Sequence, residues 1–310
     1  MRVVITGATS MIGIACIKAC VANGCQVLAI VREGTQRLTR LPESDLIQLA
    51  YADLDTLDTL DTVQGDGQPY DVFCHFAWSH TSREERDDPI AQEHNIRATL
   101  DAVKLAHRLG CRKFIGAGSQ AEYGSVAGII SAETRAEPIT AYGMAKLSSC
   151  MLSRRLCQQY GMAHIWGRIF SVYGTNDNEG TMLNYAVDRF LEGENAKFSA
   201  GTQMWNYLYE EDAGAMFYYL GKKEVPSGIY CIAHTESRPL RSYIEQLREI
   251  FGEDARCEFA AADPSAKLIS LQVDVQNTVD TIGYLPRTSF AEGISRVIQA
   301  RKEKKGELRK

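Results

Sequence analysis

The sequence has no long apolar segment and no leader-like start. Its longest apolar runs, at 27–31 and 72–78, fall far below the roughly 20 residues that a membrane-spanning helix needs. The opening residues, MRVVITGATS, enter a β-rich run at once and contain no apolar stretch followed by a small-residue cleavage site. We therefore expect no membrane partner and a cytoplasmic location.

Paired cysteines and a broad basic surface are also missing. The nine cysteines are odd in number and never spaced C-x-x-C, which is typical of reduced, buried thiols and not of a disulfide framework or a zinc site. The formal net charge of -5 argues against the extended positive surface that a nucleic-acid backbone requires. We expect neither a metal ion nor a nucleic acid as a partner.

The sequence does contain a regular alternation of short β-rich runs and longer helical stretches. This rhythm predicts an α/β fold with a doubly wound parallel sheet, a Rossmann fold, in which each strand is followed by a crossover helix. The predicted strands are 2–6, 26–32, 46–52, 71–77, 112–117 and 163–170, and the predicted helices are 11–23, 57–63, 89–109, 141–160 and 181–191.

The rhythm changes near residue 174, after which the elements become shorter and glycine and proline more frequent. We predict a dinucleotide-binding Rossmann domain over 1–174 and a smaller α/β substrate-binding lobe over 175–310, with the chain allowed to cross between them. A chain of 310 residues is long enough for both parts. The cleft between them is the expected substrate site.

A glycine-containing turn, TGATSMIG, directly follows the first predicted strand. Gly7 permits a tight turn from strand to helix, and Gly13 lets the helix approach the sheet closely, so that the helix N-terminus faces a pyrophosphate. Ser10 stands where the usual pattern has a second glycine, which either sets the backbone farther from the phosphates or lets the hydroxyl bond to them. An ordinary βα turn is the alternative. The expected dinucleotide contacts in this turn are Gly7, Thr9, Ser10, Met11, Ile12 and Gly13.

The second predicted strand lacks the acidic residue that would bind the adenine-ribose hydroxyls of NAD. It ends at Arg32, and Arg37 and Arg40 follow in the loop; guanidinium groups suit a 2′-phosphate. This pattern favours NADP(H) over NAD, while solvated surface arginines are the alternative. Asp53 closes the third strand together with Leu54, and it is either a partner of the adenine amino group or a helix cap.

A predicted helix carries Tyr142 and Lys146 four residues apart, which places both side chains on one face. An ammonium group about 4 Å from a phenol favours the phenolate and lowers the phenol pKa by up to about three units. Ser119 follows the fifth predicted strand, at the sheet edge where doubly wound folds bind ligands, and its hydroxyl can hold a reacting oxygen beside the phenol. Together these residues predict hydride transfer to or from a nicotinamide dinucleotide.

Several separate motifs resemble the extended short-chain dehydrogenase/reductase family, in particular its nucleotide-sugar epimerase/dehydratase group. They span nearly the whole chain and are TGATSMIG, DVFCHFAW, Asn95 in HNIRATL, RIFSVYGTND, GTQMWNYLYEEDAG and IGYLPRTSFAEGI. The resemblance implies that Tyr142 is the acid/base, that Lys146 holds the nicotinamide ribose and that Ser119 orients the reacting oxygen. It also implies a homodimer built from helices 89–109 and 141–160, and further cofactor contacts from Phe76, Ala77, Trp78 and Asn95.

The residues after Ser119 narrow the reaction within that family. Sugar 4,6-dehydratases carry an Asp-Glu pair there, whereas this chain has Gln120 and Ala121, neither of which does acid/base work. The absence of a cysteine at 121 argues against reductases that also epimerise C3 and C5.

Two sugar-nucleotide reactions remain. The first is reduction of a 4-keto-6-deoxy sugar by NADPH, which the arginines favour, and the second is 4-epimerisation by tightly bound NAD. Reduction of another small carbonyl compound is a third alternative. A catalytically silent dinucleotide-sensing protein is a fourth, although such a protein has little reason to keep all three catalytic groups.

The expected substrate residues depart from the family pattern. Trp205 stands where family members use an arginine to neutralise the sugar nucleotide's pyrophosphate, and Ser171 stands where they have asparagine. Trp205 either stacks on a base or sugar or belongs to the core, and His80 is either a substrate ligand or an exposed loop histidine. The expected substrate contacts are Trp78, His80, Ser119, Gln120, Ser171 and Trp205, with Glu122 beside them.

Overall fold

A computed structural model describes residues 1–60, 68–82, 84–253, 255–263 and 268–307. Its strands within these ranges are β1 (Arg2–Thr6), β2 (Gln26–Val31), β3 (Ile47–Tyr51), β4 (Val72–His75), β5 (Lys113–Ser119), β6 (Ile129–Ile130), β7 (Ala163–Ile169), β8 (Ser171–Tyr173), β9 (Ala196–Phe198), β10 (Met204–Trp205), β11 (Tyr207–Tyr209), β12 (Gly228–Ile232), β13 (Arg238–Pro239), β14 (Cys257–Phe259) and β15 (Gln272–Val273). Its helices are α1 (Met11–Ala22), α2 (Pro89–Arg108), α3 (Ala141–Gln159), α4 (Met182–Leu191), α5 (Glu210–Lys222), α6 (Leu240–Phe251), α7 (Gln276–Ile282) and α8 (Phe290–Glu307).

Seven parallel strands form the central sheet in the order β12-β7-β5-β4-β1-β2-β3. Alternate side chains of β1 enter opposite apolar layers: Val3 and Ile5 pack with α1 and α5, and Val4 packs with α2. The predicted doubly wound α/β fold is confirmed. Because the strand order reverses between β1 and β4, a crevice opens at the carboxyl ends of these strands.

The predicted strands and the long helices agree with the structure to within a few residues. The strand predicted over 112–117 continues to Ser119 in β5, so the serine itself ends the strand. Thr140 caps α3 by accepting the N–H of Gly143, and Asp88 caps α2 before Pro89. These caps fix where the helices that flank the crevice begin.

The connection between β2 and β4 departs from the prediction. The predicted helix over 57–63 is wrong over 57–60, which have no helix, and 61–63 lie outside the described residues. Asp53 gives the physical reason, because its carboxylate accepts the N–H groups of Asp55 and Thr56, both at 3.0 Å, and closes a turn. The expectation that each strand precedes a crossover helix also fails after β2, where only a 3-10 turn at Leu38–Arg40 intervenes.

A second lobe is built from short strand pairs and from α4, α6 and α8, which share an aromatic core. The chain then returns to the central sheet, because β12 pairs with β7 and α5 packs against α1. A side chain at Gly214 of α5 would lie 2.3 Å from the backbone of Ala15, so glycine permits this close packing. The division into domains at residue 174 stays a prediction. Within the described ranges, no helix is long and apolar enough to cross a membrane.

Candidate active site

A cleft of about 740 Å³ opens at the carboxyl ends of β1 to β4. Its walls include most of the cofactor contacts that the sequence predicts: Gly7, Thr9, Ser10, Arg32, Asp53, Leu54, Phe76, Ala77 and Trp78. Met11, Ile12 and Gly13 lie behind the wall in the first turn of α1. The dimensions and position of the cleft match the dinucleotide site that the turn predicts, and the individual contacts stay predictions.

The turn between β1 and α1 depends on two glycines. Gly7 has a φ of 64°, and a Cβ there would lie 2.6 Å from the backbone nitrogen of Ala77. A Cβ at Gly13 would lie 2.2 Å from the carbonyl oxygen of Gly7. Any larger residue would push α1 away from the sheet, and the helix N-terminus would leave the cleft.

Ser10 caps α1 and does not simply widen the turn. Its hydroxyl oxygen accepts the N–H of Gly13 at 3.1 Å, which satisfies one of the free donors of the first helical turn. The hydroxyl proton remains available to a phosphate oxygen.

The far end of the cleft holds cations. Arg32 and Arg37 line its wall, whereas Arg40 does not. The Asp53 carboxylate beside them is occupied, because it accepts two backbone N–H groups and the Thr56 hydroxyl, the last at 2.9 Å. Asp53 therefore caps a turn, and a contact between this residue and adenine stays a prediction.

Ser119, Tyr142 and Lys146 come together beside Trp78, which lines the cleft, although none of the three lines the cleft itself. β5 carries Ser119 at its carboxyl end, and α3 presents Tyr142 and Lys146 on one face. The Ser119 side chain lies near enough to the Tyr142 phenol to lower its pKa, and the Lys146 ammonium donates to the carbonyl of Ala117 at 2.7 Å. The structure thus assembles the predicted trio, whose catalytic role stays a prediction.

The electrostatics of this trio differ from the prediction. Burial raises the pKa of Tyr142, and the Arg86 guanidinium and the Ser119 hydroxyl offset the rise only in part. Burial also lowers the pKa of Lys146 to about 7, while the Glu122 carboxylate opposes that shift. The lysine does not lower the tyrosine pKa as predicted, because its ammonium lies 3.5 Å from the centre of the Trp78 ring and 5.7 Å from that of Tyr142.

Arg86 is a site residue that the sequence did not reveal. Its guanidinium lies 4.1 Å from the centre of the Tyr142 ring. The neighbouring Asp87 accepts the backbone N–H of Ala141 at 2.8 Å, which ties this loop to the start of α3. Only the fold brings residues 86 and 142 together, so no local pattern could have indicated the contact.

Asn95 positions a loop and does not line the cleft. It is buried in α2, accepts the Ser79 N–H at 2.8 Å and donates to the Ser79 carbonyl. Gln92, a second buried amide that the sequence analysis missed, accepts the indole N–H of Trp78 at 3.0 Å and donates to the His80 carbonyl at 2.7 Å. These contacts hold Trp78 against Lys146.

His80 lies on the cleft wall in a strained conformation. Its φ of 54° falls in a region that residues other than glycine rarely occupy. The imidazole pairs with the Glu85 carboxylate at 3.0 Å and stacks edge-on against His94. A substrate contact from His80 stays a prediction.

Glu122 was predicted to lie beside the substrate, but it cannot contact a sugar because it is completely buried. Its carboxylate accepts hydrogen bonds from the backbone of Ser119, the indole of Trp166 and the guanidinium of Arg168. Gln120, by contrast, is half-buried beside Ser119, so its predicted substrate contact remains open to test.

Ser171 and Trp205 lie in the second lobe, on β8 and β10 respectively. Both are half-buried, and Trp205 packs between two apolar clusters. The strand that carries Trp205 is anchored by Asn206, which is fully buried, accepts the backbone N–H of His234 and donates to its carbonyl. The structure places Trp205 partly in the core, and its stacking on substrate stays a prediction.

A comparison with known families agrees with this geometry. The sequence pattern described as the NAD dependent epimerase/dehydratase family matches residues 3–233. The chain belongs to this family. It is therefore an enzyme of the short-chain dehydrogenase/reductase type, as the motifs predict, and its family is described as NAD-dependent, whereas the arginines favoured NADP(H).

This epimerase/dehydratase has distant relatives in several organisms. It is 23% identical over 210 residues to an uncharacterised UDP-glucose epimerase of Bacillus subtilis, a match that spans 66% of this chain and 65% of the relative. A UDP-glucose 4-epimerase from Thermotoga maritima, solved with UDP-glucose, is 18% identical, with a TM-score of 0.84 over 98% of this chain and 99% of that one. A UDP-glucuronic acid 4-epimerase from Bacillus cereus, solved as a Tyr-to-Phe mutant with a substrate analogue and NAD, is 20% identical, with a TM-score of 0.83 over 98% and 99%. At these identities, the two structures show the shared fold.

Proposed function

We propose that this epimerase/dehydratase is a nucleotide-sugar 4-epimerase that works with tightly held NAD. The observation that carries the proposal is the convergence of Ser119, Tyr142 and Lys146 beside Trp78, a residue of the cleft wall, with Gln120 and Ala121 directly after the serine. The trio supports hydride transfer at a carbinol, and the missing carboxylate pair argues against dehydration. The names of the similar proteins support 4-epimerisation in preference to the reduction that the sequence favoured.

The residues around the cleft fit a dinucleotide. A Cβ at Gly7 would collide with the backbone of Ala77 and one at Gly13 with the carbonyl of Gly7, so these glycines let α1 pack close to the sheet, with its N-terminus directed at the cleft. The turn from Gly7 to Gly13 would hold the pyrophosphate, Lys146 the nicotinamide ribose, and the loop at Leu54 the adenine. NAD held there would supply the hydride acceptor for oxidation at C4 of the sugar and, once reduced, the hydride donor for return to the opposite face of the sugar.

The chain's own residues handle the proton. Tyr142 takes the proton of the 4-hydroxyl as the ketone forms and returns it as the alcohol is restored. Ser119 holds the sugar oxygen beside the phenol, and the Arg86 and Lys146 cations lie 4.1 Å and 5.7 Å from the centre of the Tyr142 ring. Trp78 covers the ammonium and keeps water from it.

Reduction of a 4-keto-6-deoxy sugar by NADPH is the second candidate function. The observation that favours it is the placement of Arg32 and Arg37 on the cleft wall, which no acidic residue from the end of β2 lines. A silent dinucleotide sensor is less well supported, since the complete trio would serve no purpose in it.

Substitution of the two arginines tests this second candidate. We expect Arg32→Ala/Arg37→Ala to weaken NADP binding by about 10²- to 10⁴-fold, because each charge-assisted hydrogen bond to a phosphate is worth roughly 1.5–3 kcal/mol and the variant removes two such donors. NAD lacks the 2′-phosphate and should bind the variant as it binds the wild type. Arg40→Ala is the matched control, because Arg40 is exposed on the same loop but outside the cleft. Calorimetric titration of both dinucleotides decides the matter, and unchanged NADP affinity would remove the support for the reductase.

The test of the proposed function is turnover without added cofactor. The purified protein is incubated separately with UDP-glucose, UDP-N-acetylglucosamine and UDP-glucuronic acid, and the products are separated by anion-exchange chromatography. We expect one of these sugars to convert to its 4-epimer until equilibrium is reached. Consumption of added NADPH with a 4-keto sugar, and no epimer from any of the three, would favour the reductase instead.

We also propose a homodimer through α2 and α3, the helices that the family resemblance indicates. Exposed apolar patches often mark protein–protein interfaces. The outer face of α2 and α3 exposes several large apolar side chains: Ile90, Met144, Met151 and Leu152.

A further inference from the structure

A buried charge pair lies directly behind the candidate active site. The Glu122 side chain has no exposed surface, and its partner Arg168 is 2% exposed. Their closest atoms, Oε2 and Nε, are 2.7 Å apart. Removing two charges from water is costly, so a pair at this depth calls for an explanation beyond stability.

The carboxylate is connected to the catalytic serine. Its Oε1 accepts the backbone N–H of Ser119 at 2.8 Å and the indole N–H of Trp166 at 2.9 Å. In return, the Ser119 hydroxyl oxygen accepts the N–H of Ala121 at 3.2 Å, which completes a capping box around the short turn at Gln120–Glu122. This arrangement fixes both the backbone and the hydroxyl of Ser119 and leaves the hydroxyl proton free to face Tyr142.

The strand beside the serine is shaped to admit this carboxylate. A Cβ at Gly118 would lie 2.3 Å from the Trp166 indole nitrogen and 2.6 Å from the Glu122 carboxylate. A Cβ at Gly116 would collide with the Trp166 ring at 2.2 Å. The parallel register places Arg168 opposite Gly118. Because Gly118 has no side chain, the Arg168 guanidinium can reach the Glu122 carboxylate.

We infer that Glu122 is a positioning residue for the reaction, which holds the Ser119 hydroxyl in register with the Tyr142 phenol through its hydrogen bond to the Ser119 backbone. The inference rests on the proposed function for its turnover measurement only. Arg168 and Trp166 hold the carboxylate in place through hydrogen bonds, and neither Glu122 nor Arg168 lines the cleft.

The most informative variant tests whether Glu122 positions Ser119 or only balances the charge of Arg168. Glu122→Leu alone would leave Arg168 unpaired in the core and risks unfolding. The double variant Glu122→Leu/Arg168→Met removes both charges and keeps similar volumes, a change that buried ion pairs often tolerate without loss of stability. It still deprives the Ser119 N–H of its acceptor.

We expect the double variant to remain folded, with a melting temperature a few degrees lower because the Ser119 and Trp166 N–H groups lose their acceptor, and to bind NAD within about twofold of the wild type, with kcat lowered about 10- to 100-fold and KM little changed. Asp212→Asn is the matched control. That buried carboxylate also accepts backbone N–H groups, from Arg287 and Thr288, and it has no contact with the trio. The control should lose thermal stability and keep the kcat of the folded protein.

Wild-type kcat in a stably folded double variant would overturn the inference, because the charge pair would then serve stability alone. A crystal structure of the double variant gives a readout that needs no substrate. We expect the Ser119 hydroxyl to move away from the Tyr142 phenol by about 1 Å, a displacement sufficient for this loss of rate. If the wild type converts no sugar nucleotide, the proposed function fails, whereas an unmoved Ser119 in this structure overturns the positioning role.

Discussion

Tyr142→Phe is expected to lower kcat about 10²- to 10⁴-fold, the usual contribution of a positioned acid/base. The substitution removes the phenolic oxygen that the Ser119 side chain contacts and keeps the ring beneath the Arg86 guanidinium. Dinucleotide affinity should change little, because the cleft walls do not include the phenol. Steady-state kinetics with the sugar that the wild type converts, together with NAD titration, measure both effects.

Tyr160→Phe provides the control for this change. Tyr160 caps the opposite end of α3 and stacks on His107, far along the helix from Tyr142. It should leave kcat unaltered. Retention of full turnover by Tyr142→Phe would show that another group moves the proton.

Lys146→Met is expected to inactivate the enzyme and, at the same time, to stabilise it. Burial lowers the lysine pKa from 10.5 to about 7. The folded state therefore binds fewer protons than the unfolded state between these values, and the buried ammonium costs on the order of 4 kcal/mol at neutral pH and below. Its contacts with the Ala117 carbonyl and the Trp78 ring return part of this cost.

The effect of Lys146→Met on the free energy of unfolding should depend on pH. The unfolding free energy of the wild type should rise as the pH increases from about 7 toward 10.5. Over this range the unfolded state loses the Lys146 proton that the folded state has already released, so the cost of burying the ammonium disappears. The variant lacks this titration. Its advantage should therefore be largest at and below pH 7, a few degrees in Tm, and should shrink by pH 10.

Lys113→Met is the matched control for burial. Lys113 is also buried, but it donates to three backbone carbonyls, those of Leu220, Gly221 and Lys223. Its removal should destabilise the fold and leave turnover of the folded protein intact. A Lys146→Met variant that melts below the wild type at pH 6 would contradict the proposed cost of the ammonium.

The sequence was most informative where local spacing determines geometry. Tyr142 and Lys146 share a face because they are four apart on a helix, and Gly7 and Gly13 are adjacent in space because one turn joins them. Ser119 was placed correctly because the end of a buried strand is visible in the hydrophobic pattern.

Contacts across the fold could not be read in this way. Glu122 was expected beside the substrate contacts, and only the fold, which pairs it with Arg168 on a neighbouring strand, shows it to be buried. Arg86 and Gln92 act on the site through a loop whose path depends on α2. The pKa of Tyr142 was predicted in the wrong direction because spacing shows the nearby cation but not the depth of burial, which here is the larger effect.

The cofactor and the reaction were the least determined by local pattern. The arginines that the sequence grouped together separate in space, since Arg32 and Arg37 reach the cleft and Arg40 does not. The choice between epimerase and reductase depends on whether the hydride returns to the molecule that supplied it, and both reactions use the same three side chains.

The fate of that hydride is the most direct test of the account. The sugar nucleotide that the protein converts is supplied with deuterium at C4, together with excess unlabelled NADH and no other cofactor. The account predicts a 4-epimer that retains the deuterium at C4, because the hydride never leaves the site. Loss of the label to the free dinucleotide, or the absence of any epimer, would contradict it.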